Sequence, residues 1–237
     1  MNAGSALNSD VDELGRLKSF EEQRRILVKN LKEEGLIRSQ EVEAAFLKVP
    51  RELFVWPDQV ENAYLDTPLP LGETMQTISA PHMVAIMLEE LELKRGLKVL
   101  EVGCGSGYSA ALMAEIVGPE GLVVSIERIP ELVEFASRNL RSLGYDNVVK
   151  VVLGDGCLGY PPRSEDEIYD RVVVTAAATT IPKYLKKQTK QGGILLIPVG
   201  GRWSQTLKKL VKISADKFDV KDITECAFVP LIEPEDL

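Results

Sequence analysis

The stretch Val99-Leu100-Glu101-Val102-Gly103-Cys104-Gly105-Ser106-Gly107 decides the fold of this chain. Its apolar start predicts a buried parallel strand. The three glycines lack the Cβ that would prevent a sharp turn and a close approach to a ligand. Residues 108–117 supply helix formers and predict a helix. This order of strand, turn and helix binds nucleotide-like ligands. A turn without a ligand is the alternative, although three glycines would weaken it.

The spacing of the glycines narrows the class of ligand. The chain has G-x-G-x-G, whereas the dinucleotide fingerprint is G-x-G-x-x-G, and no phosphate-binding G-x-x-x-x-G-K-[ST] occurs. Glu127 follows a second predicted strand at 122–126, where a carboxylate can accept hydrogen bonds from ribose hydroxyls. Asp155, followed by Gly156, ends a third predicted strand at 148–153 and suits an adenine amino group. Solvated loop acids are the alternative for both positions.

This pattern of an acid in the strand, the glycine turn and an acid after each of two further strands resembles the S-adenosylmethionine-dependent methyltransferases. The resemblance implies S-adenosyl-L-methionine as cofactor, S-adenosyl-L-homocysteine as product, and glycines that admit the methionine part. The implied cofactor-binding residues are Thr77, Ile78, Glu101, Gly103, Cys104, Gly105, Ser106, Gly107, Glu127, Asp155, Gly156 and Gln205. For Gln205, an exposed polar loop residue is the alternative.

The remaining patterns predict an α/β fold of the Rossmann-like class I methyltransferase type. We expect an open, mostly parallel seven-stranded sheet with an antiparallel C-terminal edge and an N-terminal helical extension. The predicted strands are 99–102, 122–126, 148–153, 171–176, 194–199, 206–213 and 223–231, and the predicted helices are 19–34, 39–48, 79–91, 108–117 and 182–188. The short loop 214–219 predicts an antiparallel hairpin.

Composition indicates the domain organisation. The 237 residues, of which 45% are hydrophobic and 27% charged, are typical of one folded domain. We expect a disordered tail at 1–18 and a single domain at 19–237, with a helical and loop extension at 19–75 and the cofactor-binding core at 76–237. The net charge of -8 argues against a nucleic-acid partner.

Cysteine and histidine usage bears on metals and on location. Cys104, Cys157 and Cys226 are odd in number without C-x-x-C spacing, and His82 is the single histidine, so we expect no metal site. No run of about 18 apolar residues occurs and no signal segment opens the chain, so we expect a cytoplasmic protein with no membrane partner.

A cluster of polar side chains lies just before one predicted helix. In Gln76-Thr77-Ile78-Ser79-Ala80-Pro81, Ser79 is placed as a helix cap and Pro81 near the first helical position. The same side chains beside unpaired backbone N–H groups would also suit an anion, for which a carboxylate is the natural candidate.

Several motifs, in order, resemble the protein-L-isoaspartate O-methyltransferase family. The matching stretches span roughly residues 20–232 and are Val49-Pro50-Arg51-Glu52-Leu53-Phe54-Val55, Asp66-Thr67-Pro68-Leu69-Pro70-Leu71-Gly72, Thr77-Ile78-Ser79-Ala80-Pro81-His82-Met83, Val99 to Gly107, Gly154-Asp155-Gly156, Tyr169-Asp170-Arg171-Val172, Gly192-Gly193 and Phe228-Val229-Pro230-Leu231. One departure is Gly72-Glu73-Thr74-Met75, where the family usually has a His-Gly pair before Gln-Thr-Ile-Ser.

The resemblance implies methylation of the free α-carboxylate of L-isoaspartyl residues in age-damaged proteins and peptides, which starts repair through a succinimide. A carboxylate of pKa about 3.3–3.7 is already ionised at neutral pH, so no general base is needed. Catalysis then depends on alignment and on exclusion of water. We expect Ser79 to be the catalytic residue that holds the substrate carboxylate, with Thr77 and Ile78 lining the methyl-transfer site. His82 is expected to be structural.

The C-terminal motif and the assembly complete the expectations. Val229, Pro230 and Leu231 are predicted to bind the substrate peptide through main-chain contacts, with a core strand end as the alternative. We expect a monomer. Two other functions stay open: a methyltransferase acting on RNA or on a small molecule, and a noncatalytic cofactor-binding protein.

Overall fold

The computed structural model describes residues 19–201 and 204–232, so the predicted disordered tail at 1–18 lies outside the described residues. The helices are α1 (Phe20–Glu33), α2 (Gln40–Lys48), α3 (Pro81–Leu91), α4 (Tyr108–Val117), α5 (Pro130–Ser142) and α6 (Lys183–Gln188). The strands are β1 (Leu69–Pro70), β2 (Thr77–Ile78), β3 (Lys98–Val102), β4 (Leu122–Glu127), β5 (Val149–Leu153), β6 (Tyr169–Val174), β7 (Thr189–Gly200), β8 (Gln205–Ser214) and β9 (Lys217–Cys226).

Seven strands form one sheet in the order β5-β4-β3-β6-β7-β8-β9. The pairs from β5 to β7 are parallel, and β8 is antiparallel to both β7 and β9. The predicted fold class, a mostly parallel sheet with an antiparallel edge, is therefore confirmed. The strand order reverses between β3 and β6, and ligands of open α/β sheets bind at such a point, beyond the carboxyl ends of the strands.

Helices cover both faces of this sheet. Val99 of β3 belongs to a hydrophobic cluster that includes residues of α1 to α5, whereas Leu100 and Val102 belong to a second cluster with Leu185 of α6. Successive strand residues point to opposite faces, which explains why the run 99–102 is apolar almost throughout. The first two helices therefore share their hydrophobic core with the sheet.

Serine side chains cap the starts of the first two helices. The Ser19 hydroxyl accepts a hydrogen bond from the backbone N–H of Glu22 at 3.3 Å, and the Glu22 carboxylate accepts one from the Ser19 N–H at 2.8 Å. The Ser39 hydroxyl caps α2 by accepting from the Val42 N–H at 3.3 Å. These bonds, reciprocal only at Ser19, satisfy N–H groups that have no partner within a helix.

Helix α5 has no counterpart among the predicted helices. Pro130 occupies its first turn, and its buried apolar residues are Leu132, Phe135, Ala136 and Leu140. That spacing places one apolar stripe toward the sheet. Together with proline in the first turn, it would have predicted the helix from the sequence.

The predicted last strand exists, but its predicted bounds, 223–231, are wrong. Strand β9 begins at Lys217 and ends at Cys226, so the turn that joins it to β8 is shorter than expected. Its residues are mostly exposed because it is the edge strand, and charged side chains on an edge oppose pairing with other chains. The alternation of Phe218 and Val220 with charged residues would have predicted that the strand begins before residue 223.

The segment before α3 contains a short antiparallel pairing. Leu69 and Pro70 of β1 pair antiparallel with Ile78 and Thr77 of β2. Met75, in the connection between the two strands, has a φ of 58° and is 88% exposed. A left-handed backbone at a residue with a Cβ is strained, and glycine removes that strain.

Met75→Gly is expected to stabilise the protein slightly. Relief of a left-handed conformation is worth about 1–2 kcal/mol, and the added freedom of the unfolded chain offsets about half of that gain. The exposed side chain gives up little packing. Denaturant unfolding should show a higher midpoint with an unchanged slope. A lower midpoint would show that the methionine side chain makes a contact worth more than the strain.

Among the described residues, no helix has both the length and the apolar character needed to cross a bilayer.

Candidate active site

A cleft opens at the carboxyl edge of the sheet, where the ends of four parallel strands meet. Val102, the last residue of β3, is in register with Ile126 of β4 and Val174 of β6. The cleft encloses about 870 Å³ when its open mouth is counted. The predicted site residues that line it are Thr77, Ile78, Ser79, Gly103, Cys104, Gly105, Ser106, Glu127, Asp155, Gly156, Val229, Pro230 and Leu231. The fold therefore collects residues from five separate segments at one place.

The glycine turn after β3 packs closely against the end of the neighbouring strand β6. Gly103 has a φ of 97°, and a Cβ there would lie 2.3 Å from Thr175 Oγ1. The Thr175 hydroxyl donates to the Gly103 carbonyl at 2.7 Å, which ties the end of β3 to the residue after β6. Thr175 lines the cleft but was not predicted, although it stands at the end of a predicted strand.

Glu127 fixes the other side of the turn. Its Oε2 accepts from the Gly105 N–H at 2.9 Å, and its Oε1 accepts from the N–H groups of Arg128 at 2.8 Å and Ile129 at 3.0 Å. The side chain is only 7% exposed. These three bonds hold the carboxylate rigidly at the cleft wall, and a carboxylate with about four lone pairs has one left, on Oε2, for a ligand.

The third strand end brings Asp155 to the same edge. Its Oδ1 accepts from the Cys157 N–H at 2.9 Å and so caps a short 3-10 turn at Gly156–Leu158. A Cβ on Gly156 would lie 2.2 Å from Val102 Cγ1. Glycine at this position is therefore required for the strand ends to pack, whether or not it also contacts a ligand.

Three predicted cofactor residues do not line the main cleft. Gly107 is the left-handed residue before α4, with a φ of 89°, and a Cβ there would approach Leu140 of α5 to 3.2 Å. Gln205 is buried, and its side chain donates to the Phe228 carbonyl at 3.1 Å and accepts from the Phe228 N–H at 2.7 Å. The structure thus gives Gly107 a helix-packing role and makes Gln205 an anchor of the C-terminal segment, rather than an exposed loop residue.

Glu101 is the third of these residues and lies in the interior. It is fully buried, and the Ser125 hydroxyl donates to its Oε2. Its Oε1 has no hydrogen-bond partner in the part of the chain that the structure describes. Burial raises the pKa of Glu101 to about 8, and the nearby charge of Glu127 acts in the same direction. Glu101 therefore keeps its proton at neutral pH and lines a small second cavity beside Ser79.

Glu101 should make stability fall with rising pH. The unfolded chain loses this proton near its ordinary pKa of 4.5, whereas the folded protein holds it until about 8. The stabilising contribution is therefore complete below 4.5 and is lost as the pH rises through 8. Glu101→Gln, which has no charge at any pH, should gain in unfolding temperature relative to the parent across that interval. The exposed acid Glu120 supplies the matched control, Glu120→Gln; parallel curves for E101Q and the parent would contradict the shift.

Cys104 also faces the cleft. Burial, and next the charge of Glu101, raise the pKa of the Cys104 thiol well above its usual value. The thiol stays protonated at neutral pH, which favours a packing residue over a nucleophile. In the described ranges 19–201 and 204–232, no cluster of three or more His, Cys, Asp or Glu side chains is arranged to hold a metal ion.

The prediction that Ser79 caps the following helix is wrong. The cap position of α3 is Ala80, which has no capping side chain, and Pro81 occupies the first turn. The Asp66 carboxylate, from the preceding loop, accepts from the His82 N–H at 2.8 Å instead. The N–H groups of Met83 and Val84 both donate to the Ala80 carbonyl at 3.1 Å. The predicted anion site on unpaired backbone N–H groups is therefore absent at this described helix start.

Ser79 itself is half-buried on the cleft wall. Within residues 19–201 and 204–232, its hydroxyl has no hydrogen-bond partner. A donor that is exposed to a cleft and free of internal bonds is available to a ligand.

The C-terminal segment forms the opposite wall. The Val229 carbonyl accepts from the Ala177 N–H at 2.8 Å, and the Leu231 N–H donates to the Ala177 carbonyl at 2.7 Å. Part of this backbone is therefore already paired with the residues after β6, as a strand end would be. The cleft-facing side of 229–231 remains accessible, and Ile232 extends the wall.

The polar groups that line the cleft fit S-adenosyl-L-methionine. Two carboxylates at adjacent strand ends can accept from a ribose diol and from an adenine amino group. Next to them lies a turn whose glycines admit a ligand close to the backbone. This match rests on the positions of Glu127, Asp155 and Gly105 in the cleft wall.

Comparison with known proteins gives the same class. Residues 22–236 match the family model described as Protein-L-isoaspartate(D-aspartate) O-methyltransferase. The protein-L-isoaspartate O-methyltransferase of Ignicoccus hospitalis is 55% identical over 217 residues, which cover 91% of this chain and 100% of that one. That of Hyperthermus butylicus is 54% identical, with 90% of each chain covered.

A solved structure extends the likeness to the fold. A Plasmodium falciparum protein-L-isoaspartate O-methyltransferase in complex with S-adenosyl-L-homocysteine has a TM-score of 0.78 and 28% identity, with 88% of this chain and 98% of that chain covered. The family model spans nearly all of the chain, and the relatives match over nearly their full length. The chain therefore belongs to the protein-L-isoaspartate(D-aspartate) O-methyltransferase family.

Proposed function

We propose that this protein transfers a methyl group from S-adenosyl-L-methionine to the free α-carboxylate of L-isoaspartyl residues in damaged proteins and peptides. The methyl ester then collapses to a succinimide, which can reopen as normal aspartate. Family membership supports the reaction. The single structural observation that carries the assignment of roles is the Ser79 hydroxyl, which lies unpaired among the described residues on the wall of a cleft that also holds Glu127 and Asp155.

The reaction does not require the protein to transfer a proton. S-adenosyl-L-methionine supplies an electrophilic methyl group on a sulfonium centre. An α-carboxylate is ionised at neutral pH, so its oxygen can attack without a general base. The new C–O bond forms as the C–S bond breaks and its electron pair stays on sulfur. The opposite charges of the two reactants cancel, so the protein contributes by alignment and by excluding water.

Each wall of the cleft has a proposed task. Ser79 donates to the substrate carboxylate and fixes its direction, while Thr77 and Ile78 line the transfer site. Glu127 holds the ribose by accepting a hydrogen bond from it through Oε2. Asp155, with Gly156, receives the adenine. The glycine turn takes the methionine part, with Gly103, Cys104, Gly105 and Ser106 in the cleft wall.

The opposite wall is proposed to receive the peptide. Val229, Pro230 and Leu231 line the cleft and offer main-chain contacts that do not depend on the peptide's sequence. The anchor of Gln205 on Phe228 holds this segment at the edge of the sheet. An acceptor defined by its backbone linkage, and found in many different proteins, calls for this kind of recognition.

His82 is proposed to be structural. The N–H of His82 donates to Asp66, and its ring Nδ1 lies 2.9 Å from the same carboxylate oxygen. The ring is thus already paired, and the reaction needs no base.

We also propose that the protein acts as a cytoplasmic monomer with no nucleic-acid partner. Cys104, Cys157 and Cys226 form no disulfide among the described residues, and this suits a reducing compartment. The net charge of -8 disfavours contact with a phosphate backbone.

The direct experiment measures transfer of labelled methyl from S-adenosyl-L-methionine to an isoaspartyl peptide and to its normal aspartyl twin. We expect labelling of the isoaspartyl peptide alone, and release of the label as methanol when the ester closes to the succinimide. Absence of labelling with cofactor bound would favour another acceptor, such as RNA or a small molecule. Failure to bind the cofactor would overturn the enzyme assignment.

A further inference from the structure

We infer that Asp66 is a positioning residue for methyl transfer, because it caps α3 from a neighbouring loop and thereby keeps the Ser79 hydroxyl free for the substrate. The inference deepens the proposed function and rests on the role given there to Ser79. The question is which side chain accepts a hydrogen bond from the backbone N–H groups at the start of α3.

The backbone N–H groups at the start of α3 need a hydrogen-bond acceptor. Ser79 is the nearby residue in the sequence that could supply one. Helix starts leave N–H groups without partners, and serine is among the best residues to cap them through the N–H two or three positions later. Ser79 stands three residues before His82, which is the spacing of such a cap. The residue actually at the cap position, Ala80, has no side-chain acceptor.

Asp66 takes this role from outside the helix. One of its oxygens, Oδ1, accepts from the His82 N–H at 2.8 Å and lies 2.9 Å from the ring Nδ1 of the same residue. Its negative charge also lies at the positive end of the helix dipole. The helix start is therefore satisfied without Ser79.

The β1–β2 pairing sets the two residues in place. Asp66 precedes β1 by three positions, and Ser79 directly follows β2. The pairing of Leu69 with Ile78 therefore brings the loop that carries Asp66 beside the start of α3. The pairing and the cap are two parts of one arrangement that aims Ser79 into the cleft.

Removal of the Asp66 carboxylate should recruit Ser79 as the cap. The His82 N–H, which lies near the surface, would then bond to water or to a nearby hydroxyl in place of the carboxylate. Ser79 is the residue whose spacing fits, so its hydroxyl would turn from the cleft to the backbone. The protein would then lose turnover without losing any residue that contacts substrate or cofactor.

The test is a double-mutant cycle measured as kcat on an isoaspartyl peptide. Asp66→Ala is expected to lower kcat about tenfold or more, with little change in cofactor affinity. In the Ser79→Ala background the same substitution should have no further effect on kcat. Asp66→Asn keeps a capping oxygen and should stay within about threefold of the parent.

A rescue variant separates positioning from general damage. Ala80→Ser in the Asp66→Ala background supplies a local cap at the position where α3 already begins, and should restore most of the lost kcat. Asp146→Ala removes an exposed acid outside the cleft and should leave kcat unchanged.

Several outcomes would overturn the inference. One is that the separate losses of kcat in D66A and S79A multiply in the double variant. Another is that the Asp66→Ala protein keeps full kcat. A third is that A80S does not restore kcat although the protein is folded. Should D66A fail to fold, an Asp66→Asn protein that folds but loses activity as S79A does would contradict the inference. If S79A alone keeps full kcat, the role of Ser79 falls, and with it this inference. If the parent fails to methylate the peptide, the proposed function itself is wrong.

Discussion

Replacing Ser79 by alanine is expected to lower kcat for an isoaspartyl peptide by more than about tenfold, because a hydrogen bond to a charged group is worth about 1.5–3 kcal/mol. The hydroxyl is free of partners among the described residues, so its removal breaks no internal bond and leaves no buried group unpaired. Cofactor affinity should change by less than about twofold, since Glu127 and Asp155 remain in place. The measurement is steady-state methyl transfer, with cofactor binding followed by calorimetry.

A serine outside the cleft supplies the control for this prediction. Ser142 ends α5, and its hydroxyl donates to the Asn139 carbonyl at 2.7 Å. Ser142→Ala makes the same chemical change and should leave kcat near the parent value. An unchanged kcat in Ser79→Ala, with normal folding, would remove Ser79 from the transfer site.

Replacing Glu127 by alanine is expected to weaken cofactor binding by about thirtyfold or more, since a charge-assisted hydrogen bond to the ribose is worth about 1.5–3 kcal/mol. The same change leaves the N–H groups of Gly105, Arg128 and Ile129 without their acceptor, so the glycine turn loosens as well. Calorimetric titration with S-adenosyl-L-homocysteine measures the effect.

Two further variants separate these contributions. Glu127→Gln keeps the size of the side chain and one accepting oxygen, so its dissociation constant should lie between those of the parent and the alanine variant. Glu131→Ala removes an exposed acid in the first turn of α5 and should bind as the parent does. Equal affinity in the parent and Glu127→Ala would exclude Glu127 from the ribose site.

The parts of the fold that could be predicted are those determined by patterns within a short stretch of sequence. The strand, glycine turn and helix from Val99 to Val117 form one continuous pattern, and Ser19 and Ser39 cap helices that begin one residue later. The acids Glu127 and Asp155 follow predicted strands, and parallel strands in one sheet bring their carboxyl ends together.

The features that sequence reasoning missed depend on partners distant in the chain. Asp66 caps a helix 16 residues away, and Gln205 anchors Phe228, which is 23 residues away. A local pattern at Ser79 is indistinguishable from a true cap until the loop that carries Asp66 is in place. The buried position of Glu101 likewise follows from the packing of β3 between β4 and β6.

The most direct measurement is a crystal structure of the protein with S-adenosyl-L-homocysteine and an isoaspartyl peptide. We expect the peptide's α-carboxylate to accept from Ser79 Oγ at about 2.6–3.0 Å, with one of its oxygens facing the cofactor sulfur. We also expect Glu127 to contact the ribose of the same cofactor. A sulfur atom placed far from Ser79, or a carboxylate held by other groups, would contradict this arrangement.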